Sequence, residues 1–387
     1  MIVSHLSLAN FRNYEIVDVP FVAGPNLFVG SNGQGKTNLV EALGYLSTLG
    51  SHRVSADQAL IRQGAESAVV RARIEHADRQ VLVEVQLNRF AANRAQVNRS
   101  AIKTRDLPRY FSSILFAPED LALVRGEPSG RRRFMDELLV LRSPRMAGVI
   151  TDYERVLKQR NTLLRSARAS GLQGSQLGTL EVWDDRFIAL GSELIEARSA
   201  LVADLLPEVG LAYAAIAGSD HSATLASYLS IFARSTDDEG PDAVATPGER
   251  VSAEEAANEF RIALARLRRA ELERGLTLAG PHRDDLILQL NSMPARGYAS
   301  HGESWSFALA LKLASAAVLR KESIVGDPVL ILDDVFAELD ESRRARLADA
   351  IEGFEQVLIT AAVLDDVPDS LAVQVVHILA GRIVESA

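Results

Sequence analysis

Residues 30–37 read Gly30-Ser31-Asn32-Gly33-Gln34-Gly35-Lys36-Thr37, a complete G-x-x-x-x-G-K-[ST] phosphate-binding loop. Upstream, Asn26–Val29 reads as a short buried strand. Downstream, Asn38–Leu49 carries apolar residues at helical spacing (Leu39, Leu43, Leu46). That strand–loop–helix context is what the motif requires. The glycines let backbone N–H groups close around phosphates, and the N-terminus of the helix adds the positive end of its dipole. Lys36 would bridge the outer phosphates and the Thr37 hydroxyl would ligate Mg²⁺. A chance glycine-rich turn before a helix is the competing reading, and the full eight-residue pattern disfavours it. Such a loop takes a nucleoside triphosphate.

A second half-site lies near the other end of the chain. Pro328–Leu332 is a buried-strand run ending in Asp333-Asp334, the form of a Walker B segment. Asp333 would hold Mg²⁺ through water, and Asp334 would orient or deprotonate the attacking water. The bland alternative is an apolar strand capped by two solvated carboxylates. Before it comes Ser300-His-Gly302-Glu303-Ser304, then a helix over Trp305–Arg320. A Ser-x-Gly turn opening a helix is a second anion site by its dipole, weak alone. Its position 31 residues ahead of Asp333 makes it informative.

Walker A, this signature turn, Walker B and Ala337-Glu-Leu-Asp340 as a D-loop together resemble the ABC-type ATPase heads. Within that class the chain is similar to the RecF family of bacterial recombination and gap-repair proteins. The resemblance is carried by Leu8-Ala-Asn10-Phe-Arg12-Asn13-Tyr14, by Gly35-Lys-Thr-Asn-Leu-Val-Glu41-Ala, and by Ser51-His-Arg53. Phe116-Ala-Pro118-Glu119-Asp120-Leu and Gly280-Pro-His-Arg-Asp-Asp285-Leu carry it further. It runs from about residue 2 to the end. It implies an α/β fold: an ABC-type P-loop ATPase head, with a mixed sheet plus an antiparallel β lobe, and an inserted, mainly helical arm. It also implies ATP and Mg²⁺ as cofactors, and an ATP-dependent homodimer in which Ser300 and Gly302 of one copy hold the γ-phosphate of the other. Duplex and gapped DNA, mediator partners similar to RecR and RecO, and a place in the SOS response come with it. So does a weak, DNA-stimulated ATPase acting as a switch. Two departures stand out. Glu303 replaces the usual Gln, so a γ-phosphate contact there would be repulsive if the side chain pointed inward. Ile359-Thr360-Ala361 stands where transporter ATPases place a switch histidine, and its lack fits slow hydrolysis.

At 387 residues the chain is long enough for two or more structural units. Its 47% hydrophobic and 24% charged content are those of an ordinary globular protein. No run reaches about 18 uninterrupted apolar residues, so no transmembrane helix is expected. The N-terminus lacks the pattern of a signal peptide. Cysteine is absent, which excludes disulfides and thiolate metal sites and fits a cytoplasmic location. The seven histidines have no paired ligand spacing, which argues against structural zinc.

The formal charge of −9 argues against bulk attraction to DNA. Residues 88–110 are different. Arg89, Arg94, Arg99, Lys103, Arg105 and Arg109 face only Asp106, a local balance of +5, which leaves the rest of the chain at −14. On charge alone, a polyanion-binding face and a solvated hairpin paired to acids elsewhere are equal readings. The family resemblance tips the choice to DNA.

Strand patterns dominate the first 120 or so residues. Ala68–Ile74 and Val81–Leu87 alternate around a hairpin signal at Glu75–Gln80, and Ser113–Ala117 is a further buried strand. Helical periodicity follows over Arg131–Leu141, Met146–Arg168 and Leu180–Leu205, with a glycine-containing break at Ala169–Gly178. A strand-like Ala223–Phe232 and an acidic loop at Ser235–Gly248 precede a helix over Ser252–Arg274 that stops at Gly275. Strand patterns resume at Leu276–Ala279. Both Walker halves must share one nucleotide, so the chain folds back, giving a head from 1–125 and 275–387 with a helical arm, 126–274, between. Leu157, Leu164, Phe187, Leu190 and Leu194 read as antiparallel-helix core rather than a partner groove.

An ABC transporter ATPase subunit is the rival from another class. It would need a membrane partner, a switch histidine and a glutamate after Asp333. An ATPase of the overcoming-lysogenization type, lacking its nuclease module, is a third candidate, and a small-molecule kinase is disfavoured for want of a lid. Several groups stay open. Arg12 and Arg53 read as phosphate or adenine contacts, or as surface ion pairs. Asn38 and Glu41 read as groups supporting the site, with plain helix solvation favoured for Glu41. Gly280–Asp285 reads as a nucleotide or arm contact, or as a buried turn network. Arg131, Arg132 and Arg133 open a helix, where cations are unfavourable, which points to a ligand or acidic partner.

Overall fold

The computed structural model describes residues 1–77, 79–170, 178–218, 221–234, 244–323 and 325–384. Residue 78 of the hairpin turn, 171–177 of the glycine-containing break and 235–243 of the acidic loop lie outside the described residues. Two compact units divide the chain. One comprises Met1–Val124, Glu208–Asp220 and Ser300–Ala387, the other Arg125–Pro207 and His221–Ala299. The second unit extends past Arg274 to Ala299.

The first unit contains two sheets. β1 (Ile2–Phe11), β2 (Tyr14–Pro20), β4 (Ser67–His76), β5 (Arg79–Asn88), β6 (Arg94–Val97) and β7 (Ser100–Ile102) form an antiparallel sheet in the order β2-β1-β4-β5-β6-β7. Its strands alternate as period-2 sequence demands: Ala68, Val70, Ala72 and Ile74 are buried, while the residues between them face out. β3 (Gly24–Val29), β8 (Ser113–Phe116), β12 (Val329–Asp333), β13 (Gln356–Ala361), β14 (Gln374–Leu379) and β15 (Arg382–Val384) form a mixed sheet in the order β15-β14-β3-β13-β12-β8. All neighbours in it are parallel except β14 and β15. β12 and β13 are buried at every position, as apolar strands covered on both faces should be. α1 (Lys36–Thr48) packs against strands of both sheets. It is therefore buried nearly all round rather than along the one stripe its leucine spacing suggests.

α8 (His301–Glu322) and α9 (Glu341–Ile351) complete the first unit, and α8 packs on β8 through Phe116 and Trp305. The short α2 (Leu121–Arg125) ends at the division. In the second unit α3 (Pro128–Arg142), α4 (Met146–Ser170) and α6 (Ala253–Arg274) accompany β9 (Ala223–Tyr228), β10 (Asp285–Leu290), β11 (Met293–Pro294) and the kinked turn α7 (Ala295–Tyr298). α5 (Gly178–Ala217) contributes to both units, and its stretch Leu180–Ala217 is apolar and long enough, by composition alone, to cross a membrane. Phe187, Ile195 and Leu201 on it are nonetheless buried inside the protein.

Two strand expectations are corrected here. Leu276–Ala279 is not a strand, because its N–H groups bond to side chains instead of a neighbouring strand: Thr277 N donates to Asn161 Oδ1 at 2.8 Å and Leu278 N to Glu271 Oε1 at 3.0 Å. β9 stops at Tyr228, and Leu229–Ala233 turns. The basic opening of α3 finds acidic partners within the same unit. Arg131 grips Asp285 with two bonds of 2.7 and 2.6 Å, and Arg133 pairs with Glu137 at 2.7 Å.

Candidate functional site

The site is built where β3 gives way to α1. Gly35 is the N-cap of α1 with φ 116°, and no side chain caps the helix, so its first N–H groups are directed at the loop's concavity. A Cβ at Gly35 would lie 2.8 Å from both Asn13 Nδ2 and Tyr14 Oη, so glycine is required twice over. Tyr14 donates to Gly35 O at 3.0 Å and Asn13 Nδ2 to Gln34 O at 3.2 Å, from the turn and strand after β1. From the other side, the β14–β15 turn donates Ala380 N to Gln34 Oε1 at 2.5 Å and Gly381 N to Gln34 O at 2.9 Å. The loop is thus held from two sides while Ser31, Asn32 and Gly33 remain exposed.

Lys36 is buried, its Nζ 3.9 Å from Asp334 Oδ1. Thr37 Oγ1 donates to Asp333 Oδ1 at 3.1 Å, and Thr360 Oγ1 donates to the same oxygen at 2.6 Å. Asp334 N donates to Thr360 Oγ1 at 2.9 Å and to Thr360 O at 3.2 Å. Its φ is 51°, a left-handed backbone rare outside glycine and common where a site over-determines the chain. Burial raises the Asp333 pKa to about 6, against the hydrogen bond from Thr360; the Asp334 charge raises it further and the Thr37 bond opposes. Asp334 Oδ1 is buried and lacks a hydrogen-bond partner. Adjacent carboxylates, one with an oxygen lacking a hydrogen bond, beside a hydroxyl and an ammonium fit a site where Asp333 and Thr37 would hold Mg²⁺ beside bound phosphates. Among the described residues no group of three or more His, Asp or Glu side chains is placed to hold a metal by protein alone. Thr360 is a site residue that sequence reasoning misses, since only the missing histidine stands out there; a threonine ending an apolar strand is its faint signal.

Beside the loop lies a cavity of about 570 Å³ lined by Arg12, Asn13, Asn38, Arg53, Gln58 and Arg89 among others. Arg12 donates to both Glu41 oxygens at 2.8 and 2.6 Å, Ser51 Oγ donates to Glu41 Oε1 at 2.5 Å, and Arg53 lies 3.8 Å away. Glu41 is 1% exposed, so the expectation of a solvated helix residue is corrected. A buried carboxylate needs such partners, and they are brought from the turn after β1 and the loop after α1. Asn38 receives Arg53 at 3.0 Å and donates to Asn13 at 2.8 Å, tying the cavity wall to the loop's brace.

At the signature turn, Ser300 caps α8. Ser300 Oγ accepts from Glu303 N at 3.3 Å while Glu303 Oε2 accepts from Ser300 N at 2.7 Å. This is the S-x-x-E capping box, present in the sequence beneath the reading of an anion turn. Glu303 is folded back on the cap. A Cβ at Gly302 would meet Arg343 Nη1 at 2.7 Å, so the cation of α9 sits over the turn. Among the described residues no hydrogen bond joins Ser300 or Gly302 to residues 30–37.

The basic stretch does not stay together. Arg89 lines the cavity beside the loop, Arg94 and Arg99 lie on β6 and the turn after it, and Lys103, Arg105 and Arg109 surround a 3₁₀ turn at Thr104–Arg109. Gly280–Asp285 is a buried turn network of the second unit. Tyr153 meets His282 Nδ1 at 2.7 Å, Ser230 N and Oγ each donate to Asp284 Oδ1 at 2.8 Å, and Arg198 donates to Pro281 O at 2.7 Å.

A P-loop after β3, carboxylates at the tip of β12, β13 between those strands and an antiparallel sheet alongside define an ABC-type P-loop ATPase head. The RecF/RecN/SMC N terminal domain family matches residues 2–383. The chain is 66% identical over its whole length to a DNA replication and repair protein RecF of Clavibacter sepedonicus, covering 95% of that protein. It is also 66% identical to the one from Leifsonia xyli, with each covered completely. The solved structure of the recombination mediator protein RecF-ATPrS in the RecFOR pathway superposes with a TM-score of 0.86 at 27% identity, over 99% of this chain and 97% of that one. An Smc head with coiled coil and joint from Pyrococcus yayanosii, 16% identical with a TM-score of 0.55 over 100% and 97%, shares the fold. This chain belongs to the RecF family.

Proposed function

We propose that this chain is an ATP-controlled DNA-binding protein of replication and recombinational repair, working in the cytoplasm on duplex DNA at gaps. ATP closes two copies head to tail, and slow hydrolysis releases them. The convergence of Lys36, Thr37, Asp333, Asp334 and Thr360 in one partly buried cluster carries this reading. Lys36 would neutralise the outer phosphates, and Mg²⁺, when bound at Thr37 and Asp333, would spread the charge that develops on them. Asp334, its Oδ1 without a hydrogen bond and 3.9 Å from Lys36 Nζ, would take the proton of the attacking water. Ser300, Gly302 and the capped N-terminus of α8 make no bond to their own loop, which supports a role against the phosphate of a second copy. Kinship with RecF proteins described as recombination mediators supports partners similar to RecO and RecR. Sedimentation with a non-hydrolysable ATP analogue and duplex DNA tests the reading. Wild type should shift to a dimer on nucleotide and bind the duplex; Lys36→Met should do neither. A dimer that ignores nucleotide would overturn it.

A further inference from the structure

The antiparallel sheet of the first unit buries one face, through Val3, Leu6, Val70, Ala72, Val83 and Val85, and turns the other outward. Register arranges the outward residues in rows. His5 of β1 stands opposite Arg73 of β4, and Arg73 opposite Leu82 of β5. Leu82 exchanges bonds of 2.8 and 2.9 Å with Asn98, which places Arg99 at the end of that row. The next row, about 7 Å along the strands, is Ser7, Arg71, Glu84 and Gln96, and a third holds Val69, Gln86 and Arg94. The first two rows line a depression of about 420 Å³.

The charges on this face are unequal in their commitments. Arg71 donates to Glu84 at 2.6 Å, and Asp18 lies 3.4 Å from His5 and accepts from Ser7. Both acids are therefore engaged. Arg73, Arg94 and Arg99 are exposed and have no acidic partner among the described residues. Three uncommitted guanidinium groups flanked by Ser7, Gln86 and Gln96 are a set of donors suited to phosphodiester oxygens. The remaining cations of the sequence stretch leave in another direction. Leu107 and Pro108 of the 3₁₀ turn are buried, Leu107 within the core that fills the inner face, and Arg109 is 3.7 Å from Asp106. Arg73, 15 residues upstream of the basic stretch (88 − 73), is part of the patch, and Arg105 and Arg109 are not.

We propose that the outward face of this sheet, centred on Arg73, Arg94 and Arg99, takes the sugar-phosphate backbone of duplex DNA. The proposal rests on the DNA-binding reading above and gives it a surface. Duplex titrations of the full chain across a salt series test it, with nucleotide binding as the check of folding. Arg73→Ala with Arg99→Ala should weaken binding and shrink the log–log salt slope by about 1.8, at about 0.9 for each phosphate no longer neutralised. Arg105→Ala with Arg109→Ala should leave both unchanged, and Gln96→Lys should tighten binding and steepen the slope. Wild-type slope in the Arg73/Arg99 variant would overturn the surface while leaving DNA binding itself in place, as would an equal loss in the Arg105/Arg109 variant. A wild-type chain that does not bind duplex removes both readings.

Discussion

Thr360 donates its hydroxyl proton to Asp333 Oδ1 at 2.6 Å while its own oxygen accepts the N–H of Asp334 at 2.9 Å. One side chain therefore orients the Asp333 carboxylate and stabilises the left-handed backbone of the next residue. Thr360→Val removes both bonds. Hydrogen bonds to charged groups contribute about 1.5–3 kcal/mol, so ATP turnover should fall roughly 10–100-fold, with nucleotide binding kept and Thr360→Ser restoring turnover. Single-turnover hydrolysis beside equilibrium binding measures it, and full turnover in the Val variant would refute the role.

Asp334→Asn keeps the shape of the side chain but cannot accept a proton. General-base assistance is worth about 10²–10⁴-fold, so hydrolysis should drop by that order while ATP-dependent dimers persist longer. If turnover survives with binding intact, the base lies elsewhere.

Ser300→Arg places a bulky cation at the cap of α8, where no bond reaches the protein's own loop. Monomer ATP binding should stay near normal and the nucleotide-driven dimer should vanish in sedimentation. Loss of monomer binding would show that the turn serves its own site.

Burial keeps the proton on Asp333 up to about pH 6 in the folded chain, whereas an unfolded chain releases it near 3.8. Between those values the folded state binds more protons, so this contribution to stability falls as pH rises, by up to about 1.4 kcal/mol per pH unit, and is gone above the folded pKa. Asp333→Asn should flatten it. Urea melts of both proteins between pH 4 and 7, in chelator, compare the two; a constant difference across that range would be the contrary result.

What is legible in the sequence is whatever a short segment dictates by itself. The P-loop needs a glycine turn and a helix start, both set within eight residues. α6 begins at the Ser252 cap and ends at Gly275 as its termini demand. Glu41 misleads because a carboxylate on a helix reads as solvated until partners arrive from elsewhere. Leu276–Ala279 misleads because strand propensity says nothing of whether a neighbouring strand exists.

Sequence alone determined the nucleotide loop, the carboxylate pair and the family of the chain. Tertiary structure decided what surrounds them. Thr37 and Asp333 bond across 296 residues only because the mixed sheet places β13 between β3 and β12. Parallel register then puts Thr360 level with Asp333 on one side and Phe28, just before the loop, on the other. The same holds for the basic residues: of the six clustered cations only Arg94 lies on a strand, while turns and the 3₁₀ segment carry Arg89, Lys103, Arg105 and Arg109 elsewhere and strand register brings Arg73, on a strand two removed from β6, into the row that Arg99 ends.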